Sequence, residues 1–302
     1  MNFPSLRLHP QGPLCSRLAV GVWRLAEWKL SANELRTWIE ACLEMGLTTF
    51  DHADIYGDYT CEELFGAALK KQPGLRDRIQ LISKCGIKLV SPNRPHHGIH
   101  SYDTSAEHIM ISVEHSLQAL NTDYLDVLLI HRPDPLMNAN EVACAFTKLR
   151  EAGKVLSFGV SNFLPSQVEL LASRLDFPLV TNQLEISVMQ LSAFVDGTLD
   201  QCQRLQMAPM AWSPLGGGGL FAGRSAQAWR LQRALATVAK ELDAHSDQVA
   251  IAWLLTHPAN IVPILGSGKL ERLRSAVQAI DLTLTREQWF SIWMASTGED
   301  LP

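Results

Sequence analysis

Short apolar runs alternate along this chain with longer amphipathic stretches. The runs occupy residues 19–22, 47–51, 79–83, 125–130, 156–160, 179–182, 207–211 and 261–264. They are nearly continuous in apolar character, the pattern of parallel strands buried on both faces. Between them, residues 32–45, 61–71, 105–120 and 139–152 carry apolar positions at helical spacing. Gly46 and Gly153 follow two of these stretches, where a helix end favours glycine. Eight strands alternating with helices predict an α/β protein and leave two architectures open, a closed barrel or an open doubly wound sheet.

Two segments stand outside the alternation. Residues 5–18, with Gln11-Gly12 at a turn, predict a β-hairpin that would cap the bottom of a barrel. Residues 89–104 are polar and rich in Pro, Gly and His, and predict a long loop after the third barrel strand; loops of that length are often functional. No internal repeat, low-complexity tract or composition shift marks a linker. Residues 1–302 are therefore expected to form one domain.

Composition narrows the function classes. The chain has 302 residues, is 47% hydrophobic and 19% charged, and carries a formal net charge of -5. Those values describe an ordinary globular protein. The acidic balance, with no Lys/Arg run, argues against a nucleic-acid partner. Residues 1–7 lack the basic start and apolar core of a signal peptide, and no apolar run approaches the ~20 residues that cross a bilayer. The six cysteines are dispersed without a Cys-x-x-Cys pair, which fits reduced thiols in a cytoplasm and no membrane or zinc site. A monomer is the expected state.

Four polar residues interrupt or follow the apolar runs. Asp51 ends the second run, with Tyr56 close behind; Lys84 follows the third, and His131 the fourth. In a barrel all strands end at one face, so these four would converge there. A free tyrosine titrates near ~10, and a nearby ammonium lowers that value. Lys84 would tune Tyr56, Asp51 would hold Lys84, and His131 would hydrogen-bond a substrate oxygen. General acid catalysis of this kind contributes ~10²–10⁴-fold. Each residue also has a plain structural reading: Asp51 and Lys84 as an ion pair tying two strands, His131 as a core histidine, Tyr56 as a surface aromatic.

The segment Phe50-Asp51-His52-Ala53-Asp54-Ile55-Tyr56-Gly57 resembles the motif around the catalytic Asp and Tyr of the aldo-keto reductase family. Ile82-Ser83-Lys84 and Leu129-Ile130-His131-Arg132-Pro133 resemble the segments bearing that family's catalytic Lys and His. Gly159-Val160-Ser161-Asn162-Phe163, Asn182-Gln183-Leu184-Glu185 and Trp212-Ser213-Pro214-Leu215-Gly216 match further motifs, all in the family's order across roughly residues 15–285.

The resemblance implies a (β/α)8 TIM barrel that reduces an aldehyde or ketone with NADPH, and it selects the barrel over the open sheet. It implies catalytic roles for Asp51, Tyr56, Lys84 and His131. Ser161, Asn162 and Gln183 would bind the nicotinamide carboxamide, Trp212 would stack on its ring, and Ser213, Leu215 and Gly216 would line the pyrophosphate. Gly266, Ser267, Lys269 and Arg272 fall in the segment for the adenosine 2′-phosphate, where a helix start with flanking cations suits a phosphate. Many members carry Lys at the place of Gly266 and Glu-Asn at the place of Ser275-Ala276. Lys269 and Arg272 nonetheless favour NADPH over NADH. No Gly-x-Gly-x-x-Gly fingerprint follows a strand, in keeping with a cofactor site of another kind.

Two other functions compete: an NADPH-binding regulatory subunit with little turnover, and a metal-dependent hydrolase using Asp51, His52 and His131. The second lacks a paired-His motif. His96, His97 and His100 read as a solvated loop, so no metal is expected. Trp23 and Trp28 suggest an aromatic mouth. Substrate choice falls to the loops at residues 23–29, 89–103, 134–140 and 217–224, and a short C-terminal tail suggests an open site for a small carbonyl compound.

Overall fold

The computed structural model describes residues 4–302. Its twelve strands are β1 Ser5–Arg7, β2 Leu14–Ser16, β3 Ala19–Gly21, β4 Thr49–Asp51, β5 Gln80–Cys85, β6 Ile87–Lys88, β7 Ser101–Tyr102, β8 Leu125–Ile130, β9 Val155–Ser161, β10 Leu179–Glu185, β11 Met210–Trp212 and β12 Val262–Leu265. Eight of them, β3, β4, β5, β8, β9, β10, β11 and β12 in ring order, close into a parallel barrel. The architecture is the (β/α)8 barrel.

Alternation along each strand explains why the runs look uniformly apolar. Ile82, Val127, Leu129, Val180, Met210 and Val262 fill the barrel interior, while Phe50, Leu81, Leu128, Ile130 and Phe158 face the helices outside. Both faces are buried, so neither needs polar residues. Where strands lie closest the interior admits only glycine: a Cβ on Gly159 would meet Thr181 O at 2.5 Å and Leu129 Cδ2 at 2.7 Å.

The N-terminal hairpin forms as expected, with Leu6 opposite Cys15 in the β1–β2 ladder. It seats Leu8, fully buried, in the interior cluster, and Ala208 N donates to Leu8 O at 2.7 Å. The hairpin thus closes the end of the barrel where the strands begin. Its hold on Ala208 also corrects one boundary: of the run 207–211 only Met210–Ala211 are strand, because the segment before it is bonded to the hairpin and Pro209 has no N–H to add to a ladder.

The expected helices appear as Ala32–Glu44, Cys61–Leu69, Ala106–Leu120 and Ala139–Glu151. The first begins at a reciprocal cap, Glu34 N to Ser31 Oγ (3.3 Å) and Ser31 N to Glu34 Oε2 (2.8 Å). Residues 89–104 are a loop closed by a small ladder, since Ser101–Tyr102 pairs antiparallel with Ile87–Lys88. After β12 the chain adds a helix Leu270–Gln278 and a further one, Arg286–Thr297. The latter is pinned by Trp289, which stacks on Trp253 at 4.6 Å and exchanges indole-to-carbonyl hydrogen bonds with it. Among the described residues no helix is long and apolar enough to cross a membrane.

Candidate active site

The strand period of two places the polar residues. On β5, Ile82 points into the barrel and Ser83 outward, so Lys84 points inward again at the mouth. On β8, Leu129 points inward, and His131 follows it on the same face one step past the strand end. Thr49 and Asp51 flank the outward Phe50 on β4. Backbone bonds continue past the strand ends and fix these positions: His52 N to Ile82 O (2.8 Å), Asp54 N to Lys84 O (3.0 Å) and His131 N to Cys85 O (2.9 Å).

Asp51, Tyr56, Lys84 and His131 meet at this mouth. Lys84 is 1% exposed, and its ammonium spends all three protons, on Asp51 Oδ2 (2.9 Å), His52 O (2.6 Å) and Tyr56 Oη (3.0 Å). The other Asp51 oxygen accepts from Gln183 Nε2 at 2.7 Å. The His131 ring stands edge-on to Tyr56, with centroids 5.9 Å apart. An ammonium can only donate. Tyr56 Oη is therefore the acceptor in its bond to Lys84, and its own proton is free for a ligand.

Burial governs the titration of the group. It raises the Tyr56 phenol above its ordinary value, and the neighbouring Lys84 ammonium, which pulls the other way, does not offset it. The expectation of a lowered phenol is corrected here, because the sequence shows the ammonium but not the burial. Burial also pushes Lys84 down, but Asp51 and Tyr56 together lift it above its ordinary value, so it stays charged. Burial, then Lys84 and Arg132, hold His131 well below the usual histidine range, so it is neutral; its Nδ1 is buried without a protein partner.

Tyr56 is held from behind by a strap. Gly57, Asp58 and Tyr59 all adopt left-handed backbone (φ 57°, 58° and 66°), an unfavourable run for the two non-glycine residues. The 89–97 segment clamps it. Leu89 N donates to Tyr59 Oη (2.8 Å), Asn93 Nδ2 donates to Asp58 O (2.8 Å), and the Arg94 guanidinium lies 4.5 Å from the centre of the Tyr59 ring. On the outer face of β5, Ser83 donates to the buried Glu62 at 2.5 Å, tying the Lys84 strand to helix Cys61–Leu69. Sequence reasoning missed the strap and the Glu62 anchor; the alternation through Ser83 and Lys84 was the signal for the second.

The residues expected to take a nicotinamide adjoin the tetrad. Ser161 Oγ donates to Gln183 O (2.9 Å), Asn162 Nδ2 donates to Ser161 Oγ (2.8 Å), and Trp212 Nε1 donates to Asn162 Oδ1 (3.1 Å), which fixes the indole. Gln183 rather than Asn182 faces Asp51 because the β9–β10 register shifts between Leu179 and Asn182, reversing the alternation that puts Val180 inside. Ser213 and Gly216 to Gly218 have positive φ and form a bend after β11, with Leu215 half-buried in it. Gly266 follows β12 in open space, Ser267 Oγ accepts from Lys269 N at 3.2 Å, and Lys269 and Arg272 are exposed and unpaired among the described residues. These groups lie on consecutive strand ends, β9 to β12. An amide cluster, an open bend and a basic helix start in that order fit a dinucleotide lying across the mouth.

The remaining expectations divide. Ser275 is engaged with Asp247 (3.2 Å) and Ala276 is buried, so this pair supplies packing. Trp28 packs against Trp38 (4.9 Å) and against Gly268, whose carbonyl accepts from Trp38 Nε1 at 2.9 Å; Trp23 is 60% exposed. A hollow of ≈ 540 Å³ beside this loop is lined by Trp38, Gly268, Lys269 and Glu271, and by none of the tetrad. His97 is taken up by Leu89 O and Tyr59, and His100 lies edge-on to Tyr102. Among the described residues no three His, Cys, Asp or Glu side chains are placed to hold a metal. Cys85 is buried, and burial pushes its thiol well up.

The aldo/keto reductase family model matches residues 17–295. The chain is 54% identical to an uncharacterized oxidoreductase of Bacillus subtilis, YcsN, over 95% of this chain and 96% of that one. It is 45% identical to a 6-dehydroglucose reductase of Agrobacterium fabrum, over 95% and 96%. Among solved structures, that of a thermostable aldo-keto reductase in complex with the inhibitor epalrestat is similar with a TM-score of 0.82, at 27% identity, covering 97% of this chain and all of that one.

Proposed function

The chain belongs to the aldo/keto reductase family, and from its barrel mouth we propose that it reduces an aldehyde or ketone to the alcohol with NADPH, Tyr56 giving the proton. The observation that carries this reading is the Lys84 ammonium donating to Tyr56 Oη at 3.0 Å while fully engaged with Asp51 and His52. That bond leaves the phenol proton directed elsewhere and stabilises the phenolate left behind.

When bound, NADPH supplies a hydride from nicotinamide C4 to the carbonyl carbon. Ser161, Asn162 and Gln183 would hold the carboxamide, Trp212 would face the ring, and Ser213, Leu215 and Gly216 would follow the pyrophosphate. Lys269 and Arg272, with Gly266 and Ser267, would take the 2′-phosphate, which is the basis for NADPH over NADH. As negative charge builds on the carbonyl oxygen, Tyr56 transfers its proton there, and neutral His131 orients that oxygen through Nε2, since Nδ1 is sealed in the protein. Asp51 keeps Lys84 charged and in place. A reducing cytoplasm belongs to the same reading: the six cysteines are free and five are buried.

NADPH oxidation with a reactive aromatic aldehyde, followed for the wild type and Tyr56→Phe, tests the proposal. The wild type should turn over and the variant should lose ~10²–10⁴-fold in kcat while still binding NADPH. The pH profile has a defined sign. The phenol keeps its proton up to its raised value, so reduction should hold through neutral pH and fall only on the alkaline side. Retained turnover in Tyr56→Phe would remove Tyr56 as the donor.

A further inference from the structure

Arg132 directly follows His131 and is half-buried at the mouth. Its guanidinium carbon lies 5.6 Å from the centre of the Trp212 ring. Trp212 ends β11, and β9 and β10 stand between that strand and β8, so the side chain reaches across the barrel mouth. Its charge is felt by both Tyr56 and His131, the two groups that would meet the carbonyl oxygen.

Beyond the Trp212 ring, this cation is unmatched among the described residues. Among the described residues it enters no ion pair and donates no hydrogen bond, whereas Lys84, Lys88 and Arg76 are matched with Asp51, Asp103 and Asp126. A guanidinium offers five N–H donors in a planar fork, and leaving them half out of water without acceptors is unfavourable. The fork fits a carboxylate or neighbouring hydroxyl oxygens better than a point charge does. Trp23 and Leu136, on the 23–29 and 134–140 loops, are exposed, so hydrocarbon substrates have contacts that do not involve Arg132.

We propose that Arg132 is a specificity residue that selects carbonyl substrates bearing an oxygen acceptor on the carbon beside the carbonyl. The proposal rests on the reductase reading above. A carbonyl oxygen held by Tyr56 and His131 brings that neighbouring substituent under the Arg132 fork. The shared chemistry is a hydrogen-bond acceptor, carried by a carboxylate or by a hydroxyl.

Two near-isosteric pairs test it by steady-state NADPH oxidation: lactaldehyde against 2-methylpropanal, and pyruvate against 3-methylbutan-2-one. The quantity read is the ratio of kcat/KM within each pair, in the wild type, Arg132→Met and Arg132→Lys. Using the ratio removes the difference in intrinsic reactivity, which the variants share with the wild type. In Arg132→Met at least one ratio should fall about tenfold or more, mainly through KM of the oxygenated member. Arg132→Lys should recover part of it. Collapse in the pyruvate pair alone identifies an anionic substrate, and collapse in the lactaldehyde pair alone a neutral hydroxylated one; either supports the proposal. Ratios within about twofold of the wild type in both pairs, in both variants, would overturn it. Absence of turnover with a reactive aromatic aldehyde as well would instead overturn the reductase reading, and this proposal with it.

Discussion

The two ends of the proposed cofactor path are built differently. At the chemistry end, Lys84, Asp51 and Gln183 are at most 3% exposed and are joined to one another and to Tyr56 by hydrogen bonds of 2.7 to 3.0 Å. At the far end, Lys269 and Arg272 stand in water with no ion partner among the described residues, at the start of helix Leu270–Gln278, which follows a loop seated on Trp28 and Trp38. The first region has its geometry before any ligand arrives, which is what proton transfer needs. The second leaves its charges uncommitted, which suits binding of an anion but does not orient a reacting atom. Energy from the open end would secure the cofactor, and order at the buried end would set the rate.

The comparison can be broken from either side. The largest effect is expected for Lys84→Met. It leaves a buried Asp51 carboxylate with only Gln183, so stability measured by urea denaturation should fall by about 3–5 kcal/mol. Turnover should fall by at least ~10². An unchanged urea midpoint would mean that the pair contributes no order. A smaller effect, confined to the cofactor, is expected for Lys269→Glu. The urea midpoint should stay put, as for other surface substitutions. The KM for NADPH should rise about tenfold and the preference over NADH should shrink. A similar rise in the KM for NADH would show that Lys269 does not read the 2′-phosphate.

Much of this was legible from the chain. Parallel strands enclosed by helices are apolar on both faces, so the barrel strands show as unbroken runs, and a polar residue where such a run ends shows as a residue at the mouth. Asp51, Lys84 and His131 were visible in that way. What depended on three-dimensional detail was not. Gln183 faces the tetrad because of a register shift that no periodicity encodes. The strap on Tyr59 requires three consecutive left-handed residues and a partner loop about thirty residues on. The upward shift of Tyr56 follows from burial, which composition cannot report. Arg132 enters the sequence reading only as the neighbour of His131, and its reach to Trp212 is a feature of the fold.

The central claim, that this mouth transfers a hydride and does not merely bind a dinucleotide, is tested most directly with NADPH deuterated at nicotinamide C4. Each stereoisomer would be incubated with the wild-type protein and a reactive aromatic aldehyde, and the alcohol analysed by mass spectrometry. The account predicts that one of the two gives alcohol with a single deuterium on the former carbonyl carbon. Tight NADPH binding with no deuterium in any product would contradict it, and would make the barrel a nucleotide-binding regulatory subunit.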